Sequence, residues 1–382
     1  MPASYWPTAR QELCLKAALL PGEAAVAAWA GVRDAVALDQ VDDACRSLLP
    51  LVYGNLIRLR CRDGLDALKQ GYLLTWRENL RLYHCVLPLL EAFERAGIDA
   101  VALKGLALIA RVYRDPGLRP MADVDVLVPP WEARRAGEVA ARLGWAPRYP
   151  LTPAFLRVKH AGPFEHPLGV ACDLHWRVFE EAGGGGADDE FRAAAEPVAF
   201  QGGHLRVPSP TDQLLHVCGH AARWGEAPAI RWVADAVLIL REGSIDWERF
   251  VAHAARRRFV LRMRDMLAYL RETLGVGIPP SVEAALHRQP VSGIERIEYR
   301  VRSREHRLLG ELPTYVFNCL RGEAHPVRAF PGYLRDAWGL TSLAAVPRHA
   351  LALAVHRVRR ALLGPGRRQP ASRSKPGAMR GA

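Results

Sequence analysis

Two aspartates on alternate residues, Asp123 and Asp125, stand in the apolar run from Met121 to Val128. On a β-strand such residues project to one side, while Val124, Val126 and Val128 fill the other. Carboxylates placed this way offer the hard oxygen ligands that a divalent cation requires. A third acid, Asp173, lies in a second strand-like run, Val170 to Trp176, where His175 shares its face and could orient the acid or touch phosphate. Three carboxylates on adjacent strands can hold two magnesium ions, one activating an attacking hydroxyl and the other gripping a triphosphate, which is phosphoryl or nucleotidyl transfer. Upstream stands Leu103-Lys104-Gly105. A glycine at a strand-to-helix junction lets backbone amides and the positive helix end approach phosphate oxygens, and Lys104 and Arg119 could neutralise developing charge.

Positioning these groups takes a small sheet with helices around it. From Gln11 to about Gly97 the apolar spacing is helical, with Pro88 expected to kink or break the last helix and Gly97 to end it. A short buried strand is predicted over Ile98 to Leu103, a helix over Leu106 to Tyr113, and a turn at Asp115-Pro116-Gly117. Val124 to Val128 reads as the next strand, and Trp131 to Leu143 as an amphipathic helix. Phe164 to His166 and Val170 to Trp176 flank Pro167-Leu168-Gly169 and predict a β-hairpin. The glycines at 183–186 and the acids after them read as a surface loop, and Leu205 to Val207 as one more short strand. Ser209-Pro210-Thr211-Asp212 carries a helix-start signature, and helices, one over Arg231 to Leu240, continue to about Leu340. The expected organisation is a helical region at 1–96, a core at 97–208, a second helical domain at 209–340 and a basic, flexible tail at 341–382.

Composition bounds the function further. With 382 residues, half of them hydrophobic and 24% charged, the chain can bury a sizeable core and is not a disordered protein. Seven cysteines without a C-x-x-C pair argue against a disulfide framework and a thiolate zinc site. The apolar stretch from Leu13 to Val32 is interrupted by Lys16, Pro21 and Glu23, so no signal or membrane-spanning segment is expected and the chain reads as cytoplasmic. From Arg348 to Arg380 there are eight Arg, one Lys and no acid, and these account for most of the net charge of +12. The remainder is mildly basic, which argues against a long nucleic-acid track; a tRNA end, or nucleic-acid or anionic-lipid contact through the tail, stays open.

Leu103-Lys104-Gly105, Tyr113 and Arg119 before Asp123-Val-Asp-Val-Leu-Val128, then Asp173-Leu-His-Trp176, resemble the uncharacterised nucleotidyltransferase family of the polymerase-β-like superfold. The resemblance continues through Asp212 to His216 with His220, and through Arg231 to Asp235. It implies an α+β fold, a small mixed sheet with helices flanked by helical regions, that moves a nucleoside monophosphate from a nucleoside triphosphate to an unknown acceptor. ATP is the expected triphosphate and Mg2+ the expected metal, with Mn2+ able to substitute. Asp123, Asp125 and Asp173 would be catalytic, with Asp123 and Asp125 holding both of two metals and Asp173 completing the site of the catalytic one, nearest the acceptor hydroxyl; Lys104, Gly105, Arg119 and His175 would face the nucleotide. Many relatives carry Gly-Ser or Gly-Gly at the phosphate turn, whereas this chain has Gly105-Leu106.

Other residues admit several readings. His216 and His220, one helical turn apart, could be satisfied polar positions on a core-facing helix, line an acceptor pocket or share a zinc ion. Arg231 and Asp235, also a turn apart, suggest a local ion pair or a contact to nucleotide or acceptor. An Asp-x-Asp glycosyltransferase is a further reading, disfavoured because residues 11–97 look helical where a nucleotide-binding α/β domain should lie. A catalytically silent nucleotide-binding or partner protein on the same fold is another.

Overall fold

The computed structural model describes residues 6–35, 37, 40–62, 64–181, 186–221, 230–302, 312–320 and 330–363. Five helices open the chain, α1 (Ala9–Leu19), α2 (Gly22–Ala35), α3 (Asp43–Arg46), α4 (Leu49–Arg58) and α5 (Leu65–Arg95). Of the kink or break expected at Pro88, the break does not occur: helix α5 runs on through it. Proline removes one N–H and crowds the preceding turn, at a cost of about 3 kcal/mol. Cys85, Val86, Leu89 and Phe93 around it are buried, and burial of large apolar side chains at roughly 1.5–3 kcal/mol each outweighs that cost.

Strands β1 (Val101–Leu103), β2 (Val124–Leu127), β3 (Ala146–Pro147), β4 (Ala161–His166) and β5 (Val170–His175) form one mixed sheet in the order β1-β2-β5-β4-β3. Only the β2–β5 pair in it is parallel. Between β1 and β2 the chain makes helix α6 (Lys104–Leu108), one π-helical turn (Ile109–Tyr113) and a loop. Helices α7 (Ala133–Arg142) and α8 (Pro153–Val158) lie in the connection from β2 to β4. The predicted β4–β5 hairpin forms, its turn closed by Gly169 at φ +71°.

Helix α9 (Ala187–Ala193) takes the acids expected in a loop: Asp188, Asp189 and Glu190 occupy its first turn, where negative charge favours the helix dipole. Gly183 to Gly185 lie outside the described residues. Strands β6 (Glu196–Phe200) and β7 (Gly203–Val207) make a separate hairpin whose turn, Gln201-Gly202, has positive φ at both residues. That two-residue turn matches the twist of its strands, and β6 escaped notice because Pro197 and its exposed neighbours give no alternating apolar signal.

The rest is helical: α10 (Pro210–Ala221), α11 (Arg231–Glu242), α12 (Trp247–Arg256), α13 (Val260–Leu274), α14 (Pro280–Arg288), α15 (Gly293–Arg302), α16 (Leu312–Leu320), α17 (Phe330–Ala337) and α18 (Ala345–Leu363). The Ser209 hydroxyl caps α10 by accepting from the Asp212 amide at 3.2 Å. Helix α18 covers the first part of the stretch expected as a flexible tail, and residues 364–382 lie outside the described residues.

One hydrophobic core joins the opening helices, the sheet and helices α10–α14, from Cys14 to Leu286. A smaller cluster around Tyr315, Tyr333 and Ala337 sits against Val158. All seven cysteines are free thiols. Among the described residues no helix is long and apolar enough to cross a membrane.

Candidate active site

The parallel register of β2 on β5 sets Asp125 opposite Asp173 and Leu127 opposite His175. On its other side β2 pairs with β1, so Asp125 also faces Leu103, the residue before Lys104. Asp125 therefore has an acid on one flank and the strand-to-helix turn on the other. Lys104 sits at φ +44°, in the left-handed region that non-glycine residues avoid, at a cost of about 1–3 kcal/mol. From there its ammonium reaches Oδ1 of Asp125.

His175 Nε2 lies 2.9 Å from that same oxygen. Burial resists ionisation of Asp125, but the Lys104 charge and the His175 hydrogen bond overcome it and hold the carboxyl well below the usual range. For His175 the burial dominates and pushes the imidazole down, so the ring is neutral near pH 7. A carboxylate can only accept, so the ring proton sits on Nε2. Among the described residues its buried Nδ1 has no hydrogen-bond partner.

Asp123 precedes β2 by one residue and is half-buried. Burial, reinforced by the charges of Asp125 and Asp173, pushes its carboxyl up to about 6, with Lys104 and Arg231 pulling the other way. Lys104 contacts Asp125 directly and acts with Arg231 on Asp123, while Asp173 stands beside Asp125 on the neighbouring strand. Ligand atoms of Asp125, Asp173 and His175 lie within 4.8 Å of one another. Asp123 is not in that group, and since His175 Nε2 carries a proton, the ligands it offers a divalent cation are the carboxylate oxygens of Asp125 and Asp173.

Gly105 is the second residue of α6, beneath the loop that returns to β2. A Cβ there would stand 2.5 Å from Met121 Sδ and 2.8 Å from Arg119 Nη1, so a larger residue would have to push these two side-chain ends aside. Arg119, expected at the phosphates, places Nε and Nη2 on the two oxygens of Asp235 at 2.8 and 2.9 Å. The Tyr113 hydroxyl donates to the same carboxylate at 2.7 Å. Burial alone would depress the Arg119 guanidinium, and Asp235 reverses the effect and holds it raised. The local pair expected between Arg231 and Asp235 does not form; Arg231 instead donates to the Pro120 carbonyl. The reason lies in orientation, since Asp235 is turned into the core toward Arg119 and is 3% exposed.

Residues 44–275 match the family model described as uncharacterised nucleotidyltransferase. The chain belongs to that family. No curated protein matches it at a significant level. A solved structure, an antigenic nucleotidyltransferase-like protein from Paracoccidioides brasiliensis, is similar over 54% of this chain and 93% of its own, at 14% identity and a TM-score of 0.33.

In this nucleotidyltransferase-family chain a further site residue lies far upstream in sequence. Asn79 of α5, fully buried, donates to the carbonyls of Pro116 at 2.6 Å and Arg119 at 2.8 Å, and accepts from the Met121 amide at 3.3 Å. It fastens the loop between the π-helical turn and Asp123. The only sequence signal was a polar residue on the apolar stripe of α5. His216 and His220 take no part in the acid cluster. Their rings stand edge-on to each other at 5.6 Å, and His216 packs against Phe179 at 5.3 Å within the helical part.

Proposed function

We propose that this chain is a metal-dependent nucleotidyltransferase that moves a nucleoside monophosphate from a nucleoside triphosphate, ATP first among those to test, to an acceptor hydroxyl. The observation that carries this reading is the pairing of Asp125 with Asp173 across parallel strands, with Asp123 on the same face. Asp123, Asp125 and Asp173 would hold Mg2+ or Mn2+. His175, with its proton committed to Asp125, acts as the orienting partner of that ligand. The ion would lower the pKa of an acceptor hydroxyl and neutralise phosphate charge.

The chain's own groups supply the rest. Asp173, at the edge of the cluster away from the lysine turn, accepts the acceptor hydroxyl proton. The acceptor oxygen then attacks the α-phosphorus as the bond to pyrophosphate breaks. Amides at the start of α6 and the Lys104 ammonium meet the phosphates, and Arg231, close enough to influence Asp123, adds positive charge from α11. In this reading residues 97–208 are the transferase core in a cytoplasmic protein, with 1–96 and 209–340 as helical flanks.

Incubation with each α-labelled triphosphate, Mg2+ and a cell extract, followed by mass analysis of labelled species, tests it. The expected result is label on one acceptor, lost with Asp123→Asn and Asp173→Asn. A folded protein that transfers none of the four triphosphates would leave a nucleotide-binding module, and the Asp123→Asn variant would then keep its nucleotide affinity.

A further inference from the structure

We propose that the Lys104 ammonium is a built-in second cation, so that the acid cluster takes a single divalent ion where three carboxylates would otherwise suit two. The inference rests on the reading of the cluster as a metal site, and concerns how many ions it holds. A carboxylate shared by two ions gives one oxygen to each. Here Oδ1 of Asp125 is already occupied by two donors, the Lys104 ammonium and His175 Nε2 at 2.9 Å. That leaves Oδ2 for one ion.

The sheet order shows on which side each positive charge belongs. With β1, β2 and β5 as neighbours, Lys104 follows β1 on one flank of the β2 acids and Asp173 stands on β5 at the other. Asp125 and Asp173, whose ligand atoms lie within 4.8 Å of each other, would therefore hold the divalent ion on the β5 flank. The β1 flank, beside the phosphate turn, belongs to the lysine. Two further observations show that the lysine is held there. Its backbone keeps a left-handed φ of +44°, an arrangement the surrounding fold must enforce. Its side chain is 20% exposed, so one face remains open to a phosphate oxygen while the other touches a carboxylate that is 5% exposed. Lysine is a compact point charge with three donors, suited to bridging a carboxylate and a phosphate at one place.

The test counts ions. Full-length protein is saturated with α,β-methylene-ATP and titrated with MnCl2, with free Mn2+ followed by electron paramagnetic resonance. Wild type is expected to retain one tight Mn2+ per chain, Lys104→Met two, and Lys104→Arg one, with circular dichroism confirming that each is folded. Two ions in wild type, or one in both wild type and Lys104→Met, overturn the role of Lys104 and leave the metal site standing. No ion in wild type removes the metal site itself, and the inference with it. Should Lys104→Met fail to fold, the wild-type count together with nucleotide affinity in EDTA decides: tight binding without metal, weakened at least tenfold in Lys104→Gln, is expected, and no binding without metal overturns the proposal.

Discussion

Asp125 and Asp235 are both buried carboxylates held by a cation, yet they do opposite work. Asp235 meets Arg119 in a two-point ion pair and Tyr113 through a hydroxyl, so its charge is matched once and its oxygens are filled. Asp125 meets one lysine but shares its neighbourhood with Asp123 and Asp173, and the negative charge is not matched. The first arrangement is closed and joins the loop before β2 to α11. The second is open and invites a cation. A buried charge stabilises a fold when its partners are all protein groups, and it becomes a site when the partners fall short.

The contrast is sharpest under removal of Asp235. Asp235→Ala leaves Arg119 buried and unpaired, and urea unfolding should register a loss of about 3–5 kcal/mol. Replacing both partners by apolar residues, Arg119→Met with Asp235→Leu, should return most of it; a loss under 1 kcal/mol in the single variant would break the contrast. Asp123→Asn should do the reverse, relieving like charges so that the melting temperature without metal holds or rises. Added Mn2+ should then stabilise wild type, by about 2.7 kcal/mol at a hundredfold excess over its Kd, and leave Asp123→Asn unmoved. Equal metal-induced shifts in the two proteins would deny Asp123 a place among the ligands.

Between these extremes stands Asn79, which is closed like Asp235 but serves the open site. Asn79→Ala strips hydrogen bonds from two carbonyls and should cost about 1–3 kcal/mol and weaken Mn2+ binding by loosening the approach to Asp123. A stability loss with Mn2+ affinity intact would confine Asn79 to the fold. Smallest is Arg114→Ala, which removes an exposed pair with Glu242 at 2.9 Å and should change stability by under about 1 kcal/mol. A larger loss on denaturation would show that exposure is a poor guide to what these pairs contribute.

Part of the candidate site was legible along the chain because its signals are local. Asp123 and Asp125 alternate with valines, and the two-residue period of a strand places them on one face whatever the rest of the fold does. The hairpin around Gly169 and the Ser209 cap are local in the same sense. Pro88 does not break α5 because a local penalty is set against a long-range gain that only packing reveals. The partner of Asp235 was hidden for the opposite reason: the neighbour in sequence suggested Arg231, while the arginine that fits, Arg119, lies 116 residues away. The π-helical turn at Ile109–Tyr113 follows no apolar period that distinguishes it from an ordinary helix.

By itself the chain determined which chemistry was available: hard oxygen donors at strand spacing, a lysine and glycine where a strand meets a helix, and apolar residues enough to bury them. Tertiary structure alone decided how those donors are shared. The parallel register that sets Asp125 against Asp173, the left-handed Lys104 that occupies one of its oxygens, and the distant Arg119 that closes Asp235 all depend on contacts between segments far apart in sequence. Electrostatic energy depends on distance and burial, and neither is written in the order of residues.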